Sequence, residues 1–517
     1  MKKFVEEEHK TGCSRRLACS TLYHQNIAMK KEALLTEEKT LDPQDWSKLN
    51  ELGHRMLDDL FYYLETTRQR PVYTKPPADA IASMQQPLPE TPQGTTAVYE
   101  DFFANVLPYN TNNIHPRFWA WVQGGGSPFG MLADMLASGM NANVSIGDSM
   151  PMYVEKQVLD WSKEMMGFPA TASGLLLSGA SLANITALIV ARHHANRDIK
   201  TKGLQSVPGP LTVYGSTETH NCVVKGVEVI GIGSDNFRKV PVDADYRINV
   251  EALRRMIVED KEAGYQPFCI VGNAGTVNTG AIDPLDELAA IAREHKLWLH
   301  VDGAFGAIPK LLPEFADALK GLELADSLSF DFHKWMYVNY EAACVLIRDP
   351  ALHKEAFTSA VNYLTLHERG LSAGPDAFNN LGMELSRGFK ALKIWMLLKQ
   401  NGLETYRTLI RQNLQQAQYL AEGIQLHSEL ELLAPVPLNI VCFRYNPGNR
   451  TDAELNKGNK EMLMRLHEQG IAAPSYTVLN GQYAIRAAIT NHRSRFDDFE
   501  LLVKETIRIG NEVFGEI

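Results

Sequence analysis

Several short segments of this 517-residue chain end an apolar run on a residue able to do chemistry. After Leu175–Leu177 comes SGASLAN, whose small residues open a helix. Backbone N–H groups stay free at such a start and the helix dipole favours an anion there, so Ala180 and Ser181 are candidates to hold a phosphate. A capping serine beside a glycine turn accounts for the same residues. After LTVYGS come Thr219 and His220, an imidazole that either presents its plane to a ligand or is a satisfied polar residue. LWLHV ends on Asp302, followed by the small residues Gly303 and Ala304, and this carboxylate either meets a cation or caps a turn. FCIVGNAG runs into Thr276 and the Gly/Thr-rich VNTGAIDP. SLSFDFHKWMYV places His333 and Lys334 after a short apolar strand. An ammonium there is costly to bury unless it loses its proton or is covalently modified, and a lysine reaching to the surface is the alternative.

The order of these parts says more than any one of them. A phosphate-binding helix start, a flat imidazole, and an aspartate one strand before a half-buried lysine are what pyridoxal phosphate requires. Its aldehyde condenses with a lysine, its phosphate sits on helix dipoles, and a carboxylate keeps its ring nitrogen protonated.

The elements that must position these residues alternate. LTVYGS (211–216), VEVIGIG (227–233), FCIVGNAG (268–275), LWLHVDG (297–303) and AACVLIR (342–348) read as strands, with helices from Ser181 to Asn196 and Pro284 to Glu294. That rhythm predicts an α/β fold with a mostly parallel, doubly wound sheet, whose ligand sites lie at the carboxyl ends of strands. A helical stretch over 384–424, then LNIVCFRY, a helix near 452–469, YAIRAAIT and a terminal helix predict a smaller α+β domain. Leu49 to Thr66 has helical spacing and Arg70 to Pro92 is a Pro-rich extended arm. The expected divisions are a polar tail (1–40), a helical and extended arm (41–125), a large cofactor-binding domain (126–395) and a small C-terminal domain (396–517). Met29 opens a natural-looking start, so residues 1–28 are expected to be a mis-assigned extension.

Composition narrows the function classes. A hydrophobic content of 45% and a charged content of 22% suit a globular chain with a large core. The net charge of -10 argues against a general nucleic-acid or anionic-membrane binder. Six scattered cysteines without CxxC spacing suggest a reducing compartment and no metal site, and no apolar run is long enough to span a bilayer. No apolar signal core follows the charged N-terminus, so a cytoplasmic location is expected.

From about residue 45 to the C-terminus the chain resembles the group II pyridoxal-phosphate decarboxylases, which include aromatic-L-amino-acid, glutamate and cysteine-sulfinate decarboxylases. The likeness runs through HPRFWAWV, LADMLASGMNANV, LLLSGASLANITALIVAR, STETHNCVVKG, GNAGTVNTGAIDP, LWLHVDGAFG, SFDFHKWM, LSRGFKALKIW and YAIRAAITN. It implies the type I fold of pyridoxal-phosphate enzymes, with a seven-stranded sheet, a smaller C-terminal domain and an N-terminal helical arm. Lys334 is then similar to the Schiff-base lysine, His333 to its histidine neighbour, and Asp302 to the partner of the pyridine nitrogen, with Ala304 beneath the ring. His220 is similar to the stacking imidazole and Thr276 to the residue near the ring oxygen. Ala180, Ser181 and Ser327 match phosphate-binding positions. Tyr363 falls where the family carries a mobile-loop tyrosine that returns a proton to carbon after CO2 leaves. Arg387 matches the first arginine of a helical motif. A homodimer with its active site at the interface is implied as well.

Phe332 stands where the family usually has proline, Gly303 follows the aspartate, and Gly388 replaces a second arginine. None of these removes a catalytic group. The implied reaction converts an L-amino acid to its amine and CO2. Trp119, Trp121 and Val122 match an aromatic substrate shelf, though tryptophans there could equally be core. Gln123 and MNANVS point instead to an acidic or small substrate such as glutamate, aspartate, cysteine sulfinate or diaminobutyrate. A decarboxylating aldehyde synthase is a further alternative, against which Tyr363 argues. A non-enzymatic protein unable to hold the cofactor is another, against which Lys334 and Asp302 argue.

Overall fold

The structure is a computed structural model and describes Tyr23 and residues 39–358, 368–371, 373–374 and 377–516. The expected extension 1–28, apart from Tyr23, and Tyr363 lie outside the described residues. By internal contacts the chain separates into two units, Met1–Leu60 with Gly94–Thr96, and Phe61–Gln93 with Ala97–Ile517. In the first, Asp45 accepts from the Ser47 amide at 3.0 Å where the helix Trp46–Glu65 begins. That helix has no buried residue.

The second unit carries both sheets. The larger one has seven strands: β2 (Ser173–Leu177), β3 (Leu211–Ser216), β4 (Phe237–Val240), β5 (Gln266–Asn273), β6 (Trp298–Asp302), β7 (Ser327–Asp331) and β8 (Ala343–Ile347), in the order β2-β8-β7-β6-β5-β3-β4. Only β8 runs against the rest. β3, β6, β7 and β8 are buried along their whole length. Helices such as Ala180–Ala195 and Leu285–His295 cover the sheet, which is why its strands read as apolar runs rather than alternations.

The stretch 227–233 is corrected from strand to helix end and turn. It finishes the helix Asn221–Val229, then turns at Gly231 and Gly233, both at positive φ. Val223, Val227 and Ile230 are buried at helical spacing, so packing outweighed their β-branched preference. The strand at that place in the chain is β4, where Phe237 and Val240 are buried and the residues between them less so.

The smaller sheet is built from β1 (Phe118–Trp119), β9 (Leu430–Leu432), β10 (Ile440–Tyr445), β11 (Ala473–Leu479) and β12 (Gln482–Ala488), ordered β1-β11-β12-β10-β9. β1 pairs in parallel with β11, Phe118 opposite Ala473, so a segment early in the chain edges the C-terminal sheet. The expected helix over 384–424 starts later, at Ala391, and runs to Gln425 with a non-helical Gly402 inside. The expected arm 70–92 contains a short helix, Ala78–Ser83.

Candidate active site

Because six of seven strands run one way, their carboxyl ends converge on one side of the sheet. The register puts Asn273 of β5 beside Asp302 of β6, and Asp302 beside Ser329 of β7. A cavity of about 440 Å³ opens there. Ala180, Ser181, His220, Asp302, Ala304, His333 and Lys334 all line it, and so do Trp121, Val122 and Gln123.

Asp302 is buried, and its orientation is set from below. Its Oδ1 accepts from the Ala304 amide at 3.1 Å and its Oδ2 from Asn184 Nδ2 at 2.9 Å. Asn184 Oδ1 in turn meets His300 Nε2 at 2.9 Å, and His300 Nδ1 meets Ser327 Oγ at 2.9 Å, which accepts from Trp298 Nε1 at 2.7 Å. Asn184 spends its Nδ2 on the carboxylate and so presents Oδ1 to His300, which puts a proton on His300 Nε2. Burial keeps this ring neutral, holding it down to about 4. Asp302 has no salt-bridge partner among the described residues, which leaves a buried carboxylate facing the cavity in need of a cation.

Lys334 is half-buried, with its Nζ 2.7 Å from Asp331 Oδ2. Burial pulls its ammonium down, and Asp331 together with Asp302 and Cys222 outweighs that, so the net displacement is upward. His333 accepts from the Ala342 amide at 3.0 Å through Nδ1, and its ring lies 4.3 Å from that of Tyr340. His220 caps the helix Asn221–Val229 by accepting from the Cys222 amide at 3.1 Å. Burial among neighbours lowers the His220 imidazole, with Asp302 opposing, so it stays neutral near pH 7. Gly179 caps the helix Ala180–Ala195 with no side-chain hydrogen bond, so the capping-serine alternative does not hold.

The opposite wall comes from elsewhere in the chain: Trp121, Val122, Gln123, Ser475, Tyr476 and Arg486. Trp119 and Trp121 divide the two readings between them. Trp119 is core, stacked 4.8 Å from Phe499, whereas Trp121 lies on the cavity with φ 54°. Arg486 is almost wholly buried, donating to the carbonyl of Trp121 at 2.7 Å, to that of Asn278 at 3.2 Å, and to the Val277 carbonyl. Burial pulls its guanidinium down to about 10, and it has no salt-bridge partner among the described residues. Its Nη1 also donates to Ser475 Oγ at 3.1 Å, so neutral acceptors anchor the group while its positive charge stays uncompensated by any described carboxylate.

The glycine-rich loop at 121–126 joins the walls. The Gly124 amide donates to the His333 carbonyl at 3.2 Å, and a Cβ on Gly124 would collide with the His333 and Lys334 carbonyl oxygens. Thr490, His492 and Arg493 hold the loop from the C-terminal side through the carbonyls of Gln123, Gly126 and Gly125.

Two expected residues are not brought to the cavity. Ser327 is fully buried, its hydroxyl consumed by Trp298 and His300, so it braces the Asp302 network and does not face a phosphate. Thr276 turns its hydroxyl into its own loop, toward Thr279 and the Ala281 amide, both at 3.1 Å. Arg387 lies outside the cavity too, paired with buried Glu155 and donating to the carbonyls of Val144 and Leu176. Residue-by-residue reading missed Arg486, Asp331, Asn273 and Tyr340. A charged residue inside the apolar strand YAIRAAIT and another at the end of SLSFD were the available signals.

Residues 77–446 match the family model described as the pyridoxal-dependent decarboxylase conserved domain. The chain belongs to the pyridoxal-dependent decarboxylase family. It is a carboxy-lyase that uses pyridoxal phosphate. An aromatic-L-amino-acid decarboxylase of Bacillus atrophaeus is 32% identical over 472 residues, covering 90% of this chain and 96% of that protein. A phenylacetaldehyde synthase of Arabidopsis thaliana is 29% identical over 462 residues, 87% of this chain and 93% of that one. The solved structure of Catharanthus roseus tryptophan decarboxylase in complex with L-tryptophan superposes with a TM-score of 0.81 at 26% identity, covering 92% of this chain and all (100%) of that one.

The donor set of this decarboxylase suits its cofactor. The unpaired Asp302 carboxylate matches a protonated ring nitrogen, the Lys334 amine an aldehyde, and the helix start at Ala180 a phosphate.

Proposed function

We propose that the enzyme decarboxylates an aromatic L-amino acid to its amine, with Lys334 as the tethering amine, Asp302 as the partner of the ring nitrogen and Tyr363 as the proton donor to carbon. The observation that carries this reading is the composition of the cavity. Trp121, Phe305, Tyr340 and Tyr476 offer flat apolar surface, and Arg486, on the wall opposite the strand ends, is a cation with no salt-bridge partner among the described residues. An uncompensated cation suits a substrate carboxylate, and a ring suits the aromatic faces.

When bound, pyridoxal phosphate supplies a protonated ring that accepts the electrons released as CO2 leaves. Asp302, oriented by Asn184 and the Ala304 amide, keeps that proton on the ring nitrogen. His220, neutral, would stack on the cofactor ring. His333 and the Ala180–Ser181 helix start would hold the phosphate end, with Ala304 packing against the ring. Arg486 orients the substrate carboxylate, with Trp121, Val122 and Gln123 on the side chain. Tyr363 then delivers its proton as a general acid.

A second reading, a substrate with another carboxylate or a small polar side chain, has Gln123 in its favour, since it lines the cavity with an amide. Likeness to a phenylacetaldehyde synthase keeps the synthase alternative in view. The test is CO2 release by purified enzyme plus cofactor across the amino acids, diaminobutyrate and cysteine sulfinate, with amine, aldehyde and peroxide measured together. We expect amine from aromatic substrates and a loss of amine in Tyr363→Phe. Aldehyde and peroxide in equal amounts would assign the synthase reaction instead.

We also propose a homodimer. Met135, Leu136 and Met140 are exposed on one helix and Met150 and Tyr153 on the next, apolar surface of the kind that partners cover. Mass from light scattering tests it. A cytoplasmic location is supported by the four described cysteines, all free, and no described helix is long and apolar enough to cross a membrane. The division into arm (41–125), large domain (126–395) and small domain (396–517) is proposed on the same footing. The last boundary falls inside the helix Ala391–Gln425, which limited proteolysis would expose as a shared strut.

A further inference from the structure

At the helix start that suits a phosphate, an anion is already in place. Asp331, the last residue of β7, is almost fully buried, and its Oδ1 accepts from the Ala180 amide at 2.7 Å. Its Oδ2 is the atom that lies 2.7 Å from Lys334 Nζ, and His333 Nε2 is 3.7 Å away. One carboxylate thus holds both the first N–H of the helix and the amine that the cofactor needs. Across the cavity His220 and Tyr340 also feel its charge, and Asp302 acts on Lys334 from the other side. A phosphate dianion arriving at the Ala180 amide would meet this carboxylate at the same donor. Two anions sharing one donor repel each other unless they share a proton.

We propose that Asp331 is an internal anion that occupies the phosphate end of the cavity in the cofactor-free enzyme and makes cofactor binding take up a proton. The inference rests on the phosphate sitting at the helix Ala180–Ala195. The proton count follows from the chemistry. Condensing the Lys334 ammonium with an aldehyde to a protonated imine releases water and no proton. The extra proton therefore comes from solvent and resides between the carboxylate and the phosphate.

The experiment titrates cofactor-free enzyme with pyridoxal phosphate, followed by tryptophan fluorescence, for the wild type and Asp331→Asn between about pH 6.5 and about pH 8.5. The ratio of wild-type to variant dissociation constants is expected to grow about tenfold per pH unit, the signature of one linked proton. With pyridoxal, which lacks the phosphate, the ratio stays flat. A flat ratio with pyridoxal phosphate overturns the proposal. Equal growth with pyridoxal also overturns it, because the effect would then act through Lys334. Calorimetry of the wild type in two buffers of different ionisation heat tests the same claim without a variant. Uptake of about one proton near pH 8.5 is expected, and none would overturn it. Ser181→Glu separates the two failures. Unchanged cofactor affinity there means that the phosphate binds elsewhere, whereas lost affinity beside a flat ratio removes the proton coupling alone.

Discussion

The two walls of the cavity are built on different plans. The wall proposed to hold the cofactor is made of residues at the carboxyl ends of strands of one sheet: Ala180 after β2, His220 after β3, Asp302 ending β6 and Lys334 after β7. The wall proposed to meet the substrate is made of residues from the glycine-rich loop and from β11 and β12, brought together by the pairing of β1 with β11. The first is a property of strand order, and the second of two distant segments docking. Chemistry common to a family belongs on the first, and selectivity on the second.

The largest effect should come from the cofactor wall. Lys334→Ala should abolish the absorbance near about 420 nm and lower kcat on the order of 10⁴-fold, because the covalent tether is gone. A variant that keeps the band and the rate would mean that another amine holds the cofactor. Next, Gly124→Ala strikes the joint between the walls. Its Cβ cannot fit beside the His333 and Lys334 carbonyls, so a stability loss of about 1–3 kcal/mol by urea unfolding should accompany weaker cofactor binding. Stability lost with cofactor affinity intact would uncouple the loop from Lys334.

Trp121→Ala should raise KM about tenfold for an aromatic substrate while leaving the absorbance band unchanged, since a lost face is worth about 0.5–1.5 kcal/mol beyond its area. A fall in kcat alone would blur the division of labour between the walls. The smallest effect is acid sensitivity. Each wall holds a histidine kept neutral by burial, His300 below Asp302 and His492 against Gly126, both lowered from 6.5 to about 4. Below 6.5 the unfolded chain binds protons at these rings and the folded chain does not. Stability is therefore full above that pH and declines as pH falls toward about 4. The melting temperature of the cofactor-free enzyme should drop across this window, and less so in His300→Gln.

The same division governs what could be read from the residues. LTVYGS, LWLHVDG and AACVLIR are runs buried on both faces, so local apolarity alone marks them as strands, and their end residues announce themselves. VEVIGIG misled because β-branched residues at helical spacing satisfy both patterns, and helix packing decided. β1 is two residues long and was invisible until β11 paired with it. Ser327 matched a phosphate position, yet Trp298 and His300 claim its hydroxyl, a competition only neighbouring strands reveal.

What the amino-acid order determined by itself is the central strands of the sheet, several residues at their ends (His220, Asp302 and Lys334 among them) and the cofactor these suit, because each depends on a few consecutive side chains. Tertiary structure alone decided that Arg486 lies buried on the cavity without a salt-bridge partner among the described residues, that Trp121 faces it while Trp119 does not, and that Asp331 grips the helix start beside Lys334. Such facts arise where segments hundreds of residues apart exclude water together, and the burial that makes a charge or a ring matter has no local signature.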